Sequence, residues 1–412
     1  MRIVILIISG GKGGFSMPKS LWLLVIGMMV NTTGSSFLWP LNTIYIHDHL
    51  GKSLSVAGIV LMLNSAASVI GNLLGGILFD KLGGYRTVLF GIIVTILAAL
   101  GLTIWHDWPN YVIFLTLTGL GSGIVFPCVF AMAGSVWKEG GRKAFNAIYV
   151  AQNVGVAVGS AIGGFVASFS FNYIFIANLA MFIVFLFIAL FGYRNMTAQQ
   201  VRHSSVVAQH NVVNNKQILK ALVILCSAYL LCWVGYVQWQ ATISSYTQQL
   251  GITLKQYGFL WTINGALIVL GQPLIAPLIK RFFTSVKGQI MIGISIFIIS
   301  FGVVSVASSL KAFVVSMVIL TIGEMLVWPA IPTIASQLSP KGKEGLFQGI
   351  VNSTATGGRM IGPLLGGIMV DVFGMTTLFM SLIGLLIFAI GLSYFFDKPL
   401  KSSTTQENSI SM

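Results

Sequence analysis

Apolar residues run along this chain in long stretches separated by short polar breaks; "LFGIIVTILAALGLTIW" and "YIFIANLAMFIVFLFIALFGY" are two of them. Such runs lack the period-two alternation of a half-buried strand, which weighs against an outer-membrane barrel. They predict helices that cross a bilayer, since about 20 apolar residues span its hydrocarbon core. Reading from break to break gives twelve helices, at about 21–46, 54–79, 87–105, 110–136, 144–168, 172–193, 218–246, 256–279, 288–308, 312–337, 346–370 and 376–396. Several contain Pro or Gly, which membrane helices tolerate. The expected fold class is an all-α membrane protein.

Composition agrees. Of 412 residues, 56% are apolar and only 8% charged, against about 25% charged in soluble domains. The formal net charge of +14 raises the question of nucleic acid, and its distribution answers it. Lys and Arg gather at alternate breaks: Lys81 and Arg86; Lys138, Arg142 and Lys143; Arg194, Arg202, Lys216 and Lys220; Lys280, Arg281 and Lys287; Lys341 and Lys343; Lys398 and Lys401. Only Lys52, Lys255 and Lys311 fall on the other side. The positive-inside rule then places both termini in the cytoplasm, so the basic excess is topological and no nucleic-acid partner is expected.

The halves repeat. At an offset of 200, residues 50–81 align without gaps with 250–281, matching Gly51/Gly251, Gly58/Gly258, Asn64/Asn264 and Gly71/Gly271, and Trp39 matches Trp239. Farther on, "GIVFP" (123–127) faces "MLVWP" (325–329), and "GVAVGSAIGG" (155–164) faces "GRMIGPLLGG" (358–367). Apolar bias yields chance Leu and Val matches but not Gly and Asn in register. Two parallel six-helix halves suit a transporter that rocks one half against the other around a midplane site. The expected organisation is a leader at 1–16, an N-terminal half at 17–193, a cytoplasmic linker at 194–217, a C-terminal half at 218–396 and a cytoplasmic tail at 397–412. The leader reads as a start-site artefact: "KGGFSM" can encode a ribosome-binding site just ahead of Met17, and the apolar run before it is too short to span. Cys128, Cys226 and Cys232 lie inside apolar spans and imply no disulfide framework.

With these features the chain resembles the major facilitator superfamily along all twelve helices. The family signature between helices 2 and 3 runs roughly G-x-x-x-D-(R/K)-x-G-R-(R/K); Gly76, Asp80, Lys81 and Gly83 fit it, while Gly84 and Tyr85 replace basic residues and Arg86 follows late. The resemblance implies that this stretch is a conformational latch, with Asp80 holding basic residues and a neighbouring helix N-terminus while the cytoplasmic side is shut. Helix N-termini carry partial positive charge, so the contact is physically sensible. The second half has Lys280 and Arg281 at the equivalent place. A second signature, G-x-x-x-G-P-x-x-G-G, is associated with antiporters. Gly155, Gly159, Gly163 and Gly164 fit it on helix 5, with Ser160 for the Pro, and Gly358, Gly362, Pro363, Gly366 and Gly367 match it on helix 11. Small residues one turn apart also build a tight helix seam. Leu115 stands where the family often places an Arg on helix 4.

Two charges fall deep inside spans, Glu324 and Arg359. A charge at the bilayer centre costs at least about 2.5–3.5 kcal/mol on insertion scales, so it faces a cavity, a partner or both. The repeat aligns Glu324 with Ser122 and Arg359 with Val156, so the fold itself requires neither. In one reading Glu324 takes up and releases a proton, with Arg359 tuning it. In the other the two form a buried pair fixing helix 10 against helix 11. "GEMLVWP" resembles the tenth helix of drug/proton antiporters, where a Glu serves protons or cationic substrate. The expected substrate cavity is polar and aromatic: Asn31, Trp39 and Asn42 from helix 1, Trp233, Tyr236, Gln238, Trp239 and Gln240 from helix 7, and Trp328 from helix 10. Such walls suit amphipathic or cationic organic molecules.

The chain carries no P-loop, metal-ligand helix or nucleophile–base set, so an enzyme is not expected, nor is a bound metal or cofactor. His47, Asp48, His49, His106 and Asp107 at the outer face read as solvated loop polars. The expected function is secondary transport in a bacterial inner membrane: proton-driven, multidrug-type efflux of small organic molecules by alternating access, with a monomer as the working unit. A uniporter or symporter for a sugar or other metabolite is the alternative, and a transport-dead sensor or lipid-handling protein a more distant one.

Overall fold

The computed structural model describes residues 17–38, 41–52, 54–167, 169–194, 196, 215–282 and 285–400. The expected leader, Trp39, most of the linker and residues 401–412 lie outside them. Among the described residues the structure is helical and holds no strand. The helices are α1 (Lys19–Leu38), α2 (Leu54–Leu82), α3 (Gly84–Ile104), α4 (Asn110–Val136), α5 (Arg142–Ala167), α6 (Phe171–Gly192), α7 (Asn215–Tyr236), α8 (Leu254–Phe282), α9 (Val286–Ser305) and α10 (Leu310–Val327). Glu344–Phe395 is one continuous stretch broken at Gly374, whose φ is 80°, and gives α11 (344–373) and α12 (375–395). Ten helical stretches are long and apolar enough to cross a bilayer, one of them covering both α11 and α12. Each of the twelve expected spans has a helix among those named, although α8 is not one of these ten stretches.

Three spans expected to be continuous are interrupted. The first stops at Leu38 and resumes over Asn42–Ile44, ending in the wide turn Tyr45–His49. The seventh stops at Tyr236, tightens over Val237–Trp239 and resumes at Thr242–Gln249. These two breaks fall at equivalent places in the repeat. The tenth stops at Val327 and resumes at Ala330–Leu338, with Pro329 between, where a ring in place of an N–H breaks the helical ladder.

The chain divides into two compact units. One holds α1–α6 together with residues 341–356, the first turns of α11; the other holds α7–α10 and the remainder of α11 with α12. In the first unit α1 lies on α5 through a glycine seam. A Cβ on Gly155 would sit 2.8 Å from Thr32 Cβ, one on Gly159 3.0 Å from Thr33 Cα, and one on Gly163 2.9 Å from Phe37 Cα. In the second unit the equivalent pair, α7 and α11, meets through Gly358 and Gly362, where a Cβ would come within 2.6 Å of Trp233 Cβ and 3.3 Å of Val234 Cα. Gly366 meets Gln238, whereas Gly367 faces no atom within 4 Å. Pro363 lies inside α11. The outer skins are apolar: Leu97, Phe165, Phe191, Leu364 and Phe388 are all well exposed. Patches of that kind are absent from soluble monomers and belong against lipid.

The end of the first unit around Tyr45 is packed by rings rather than loose polar loops. Tyr45 touches His49, Tyr111, Phe171 and Phe175, and its hydroxyl donates to the His106 carbonyl at 3.1 Å. His106 stacks on Phe175. His49 is exposed, as expected of a solvated loop residue, and His106 is partly buried; both also lie against neighbouring Tyr and Phe rings.

Candidate functional site

Glu324 is the fifteenth residue of α10, one turn before the Pro329 break, and only 3% exposed. Counted from Lys311 it lies about 20 Å along the helix. Two donors converge on one carboxylate oxygen: Asn264 Nδ2 of α8 at 2.8 Å and the Tyr236 hydroxyl at the end of α7 at 3.1 Å. The same Asn264 amide also donates to Thr321 Oγ1 at 2.9 Å, one turn earlier on α10. Burying a carboxylate is costly unless hydrogen bonds replace its water. Here they come from two other helices, next to the interruptions of spans seven and ten.

Beside the carboxylate lies an aromatic cluster. Trp233 of α7 stacks on Trp328 at 4.6 Å between centroids and 7° between planes. Tyr229, Tyr236 and Phe297 close around Trp328 at 5.4–5.5 Å. Arg359 of α11 lies with its guanidinium over the Trp233 ring, 4.9 Å from the centroid. Glu324 is buried whereas Arg359 is exposed. Glu324 and Arg359 thus flank one aromatic cluster, the carboxylate accepting from a hydroxyl and an amide and the guanidinium lying over the Trp233 ring.

The expected cavity residues divide. Trp233, Tyr236 and Trp328 are brought together, and Gln240 is exposed. Gln238 and Trp239 are wholly buried and are packing residues here. The Gln238 amide donates to the carbonyls of Val234 and Gly362, at 3.0 and 2.7 Å, tying α7 to α11. The Trp239 carbonyl accepts from the Tyr257 hydroxyl. Asn42 is likewise spoken for, accepting from the Tyr111 hydroxyl at 2.8 Å, and Asn31 is buried. Among the described residues no group of three or more His, Cys, Asp or Glu side chains could hold a metal ion.

A second constellation lies at the end of α2, within the first unit. The Asp80 carboxylate accepts from the backbone N–H groups of Gly345 and Leu346, at 2.8 and 2.9 Å. These are first-turn amides of α11, which have no partner in their own helix. Gly76, one turn earlier, makes the approach possible: a Cβ there would lie 2.9 Å from Leu346 Cα. Deeper along the same faces Ser353 Oγ donates to the Val69 carbonyl at 3.1 Å, and Asn72 Nδ2 to Thr356 Oγ1 at 3.4 Å. Gly83 joins α2 to α3 at φ 84°, a conformation that side chains with a Cβ rarely adopt. Lys81 and Arg86 are exposed. The carboxylate is thus placed on a helix start, as the signature implies, rather than on the basic residues beside it.

The family model described as Major Facilitator Superfamily matches residues 24–284 and 240–409. The chain belongs to that superfamily. It is 58% identical over 397 residues to the uncharacterized MFS-type transporter YttB of Bacillus subtilis (strain 168), covering 96% of this chain and 100% of that protein. It is 22% identical to the multidrug resistance protein MdtH of Aeromonas hydrophila, over 85% of this chain and 87% of that one. It is 23% identical to a Na(+), Li(+), K(+)/H(+) antiporter of Planococcus maritimus, over 84% and 88%. Among solved structures, the human organic anion transporter MFSD10 (TETRAN) superposes with a TM-score of 0.69 at 16% identity, over 92% of this chain and all of that one. That likeness shows the shared fold. Superfamily members are transporters, and this chain is a multi-pass membrane protein of that kind, not an enzyme.

Superfamily membership explains why the glycine seams recur in both halves but does not supply the partners of Glu324. Asn264 was visible in the sequence only as one member of a repeated pair. The first-half counterpart, Asn64, donates to the Leu115 carbonyl at 2.6 Å, joining α2 to α4 as Asn264 joins α8 to α10. An in-register asparagine in an apolar repeat marked the contact; that it ends on the carboxylate became visible only in three dimensions.

Proposed function

We propose that the protein exports a small organic compound in exchange for protons by alternating access, and that Glu324 carries the proton. The observation behind this is the buried carboxylate, held by Tyr236 and Asn264 beside the Trp233–Trp328 stack. A lone deep acid that the repeat does not require is a functional group by default. Tyr236 and Asn264 are neutral donors, and a tyrosine hydroxyl can also accept from the protonated acid. The relatives named as a multidrug resistance protein and a cation/proton antiporter support export and proton exchange. Within this reading Asp80 is the latch: its grip on α11 forms and breaks as the transporter cycles. The distribution of Lys and Arg supports a bacterial inner-membrane location with both termini in the cytoplasm.

The test is transport in everted membrane vesicles under an imposed pH gradient, using a panel of organic compounds. The wild type should move at least one of them against its gradient. Glu324→Gln should abolish that movement while leaving downhill exchange measurable, because a neutral amide cannot cycle between two charge states. Full proton-driven transport by a well-folded Glu324→Gln protein would overturn the assignment.

A further inference from the structure

One side chain spans the break in span seven. Gln238 lies in the tightened turn Val237–Trp239 and is wholly buried. Its amide donates to the Val234 carbonyl before the break at 3.0 Å, and to the Gly362 carbonyl of α11 at 2.7 Å. Its carbonyl oxygen accepts at 3.1 Å from the hydroxyl of Thr242, where the helix resumes. Helix α11 leaves room for it, since a Cβ on Gly366 would overlap Gln238 Oε1. All of these residues belong to one compact unit. The first half is interrupted at the equivalent place without such a residue. Leu38 stands where the repeat has Gln238. The carbonyl of Gly34, the counterpart of Val234, accepts instead from Asn178 of α6 at 2.7 Å. The break itself therefore needs no amide at its centre. Burying one is costly unless its polar atoms are paired, and here donor and acceptor ends are both spent on joining three segments.

The residue enclosed by these bonds is Tyr236. Val234, whose carbonyl takes the amide, lies two positions before it, and Gln238 two positions after. Val237 rests on Gly362 and Trp233 on Gly358, so this side of α7 is fixed to α11. Tyr236 reaches another helix, its hydroxyl donating to Glu324 of α10 at 3.1 Å. From this we infer that Gln238 is a positioning residue: it pins the span-seven break to α11 and thereby holds the Tyr236 hydroxyl on Glu324. Interruptions at the ends of elements are where a domain movement is absorbed. A bend at this one has to strain the Gln238 bonds, and the loss of them frees the end of α7 that carries Tyr236. The seventh span is thus linked to the acid through a single amide. The inference rests on the proton-carrier reading of Glu324 for its purpose, but not for the pin itself.

The test uses the full-length protein in lipid nanodiscs, with no gradient and no substrate. Gln238→Met keeps the length of the side chain and removes its hydrogen bonds; Gln238→Leu, the residue of the first half, replaces it should that protein not fold. Spin labels at the exposed positions Ser245 and Leu364, with the three native cysteines replaced by alanine, report the second piece of span seven against α11. The variant should add a second distance to a single wild-type one. Thr242→Val cuts only the bond across the break and should broaden the same distance. The acid is followed by its infrared carbonyl band, identified as the band that Glu324→Gln lacks. Gln238→Met should move the pH midpoint of that band by about one unit, the tenfold equivalent of one hydrogen bond to a charged group, in the direction that Tyr236→Phe moves it. Tyr257 and Arg359, whose charges act on Tyr236, are the same in every variant. The double variant Gln238→Met with Tyr236→Phe should move the midpoint no further than Tyr236→Phe alone, because both changes break one link. Wild-type distances in folded Gln238→Met overturn the pin. A wild-type midpoint in that protein, or shifts that add in the double variant, overturn its action through Tyr236, since a merely structural glutamine would leave the band alone. A wild-type band that does not titrate sinks the proton-carrier reading and with it the purpose given to the pin, while the spin-label distances still decide the pin.

Discussion

Replacing Asp80 by asparagine tests the proposed latch most sharply. The carboxylate accepts from Gly345 N–H at 2.8 Å and Leu346 N–H at 2.9 Å. A hydrogen bond to an ionised group contributes about 1.5–3 kcal/mol, and one between neutral groups about 0.5–1.5. An anion at a helix N-terminus adds about 0.3–1 kcal/mol. Asparagine has nearly the same shape but can accept only one of the two amides, and it turns an NH2 donor towards the other. One bond is weakened, one is lost, and the dipole interaction goes. Because Asp80 is half-buried and partly screened, the sum is discounted to about 2 kcal/mol, or about 30-fold in the population of the joined form. Spin labels at the exposed positions Leu82 and Lys341 report the separation of α2 from the start of α11. The variant should add a longer distance to the distribution and should transport slowly, while its melting temperature stays near that of the wild type. Asp80→Glu keeps the charge and should recover part of both. An Asp80→Asn protein with wild-type distances refutes the reasoning, whether or not its transport is slowed, because the geometry says those two hydrogen bonds hold the joint.

Other substitutions probe the rest of the site. Tyr236→Phe removes a hydroxyl donor to Glu324 and should slow proton-driven transport about tenfold, the equivalent of one hydrogen bond to a charged group; a rate equal to the wild type in everted vesicles counts against the hydroxyl's part. Gly159→Leu forces a side chain where even a Cβ would lie 2.8 Å from Ser36 Cβ. Overpacking of this kind costs about 1–3 kcal/mol and should lower the melting temperature of the purified protein; an unchanged melt would mean that the α1–α5 seam is looser than the geometry says.

Much of the fold was legible because membrane crossing leaves a coarse signal. Run length and polar breaks placed all twelve helices, and Gly155, Gly159 and Gly163 announced a tight seam on α5, whose partner, α1, only the structure shows. The faces were harder to read. A helix that is apolar all round carries no stripe to say which side turns inward. Gln238 and Trp239 therefore looked like cavity lining, yet Gln238 spends its amide on the carbonyls of Val234 and Gly362. Asp80 shows a different limit. Its sequence neighbours Lys81 and Arg86 offered charges of the right sign, but the groups it reaches are backbone amides 265 and 266 positions away. Backbone donors leave no mark in a sequence, and only the family signature pointed to a helix start.

The repeat also shows how the site could arise without loss of the fold. Asn64 and Asn264 do the same structural work, each joining the second helix of its half to the fourth. In the first unit the partner is the Leu115 carbonyl, a lone pair that any residue supplies. In the second unit the partners are side chains, Thr321 and Glu324. Where the repeat has Ser122, the second half has an acid; where it has Val156, the second half has a guanidinium. The first unit shows that the helix packing stands without either charge, so the energetic cost of a buried carboxylate and of a cation at membrane depth is not offset by any structural need of the fold. Side chains that are expensive in lipid and unnecessary to the scaffold are the ones whose retention has to be explained by chemistry, and both fall on the one aromatic cluster built around Trp328.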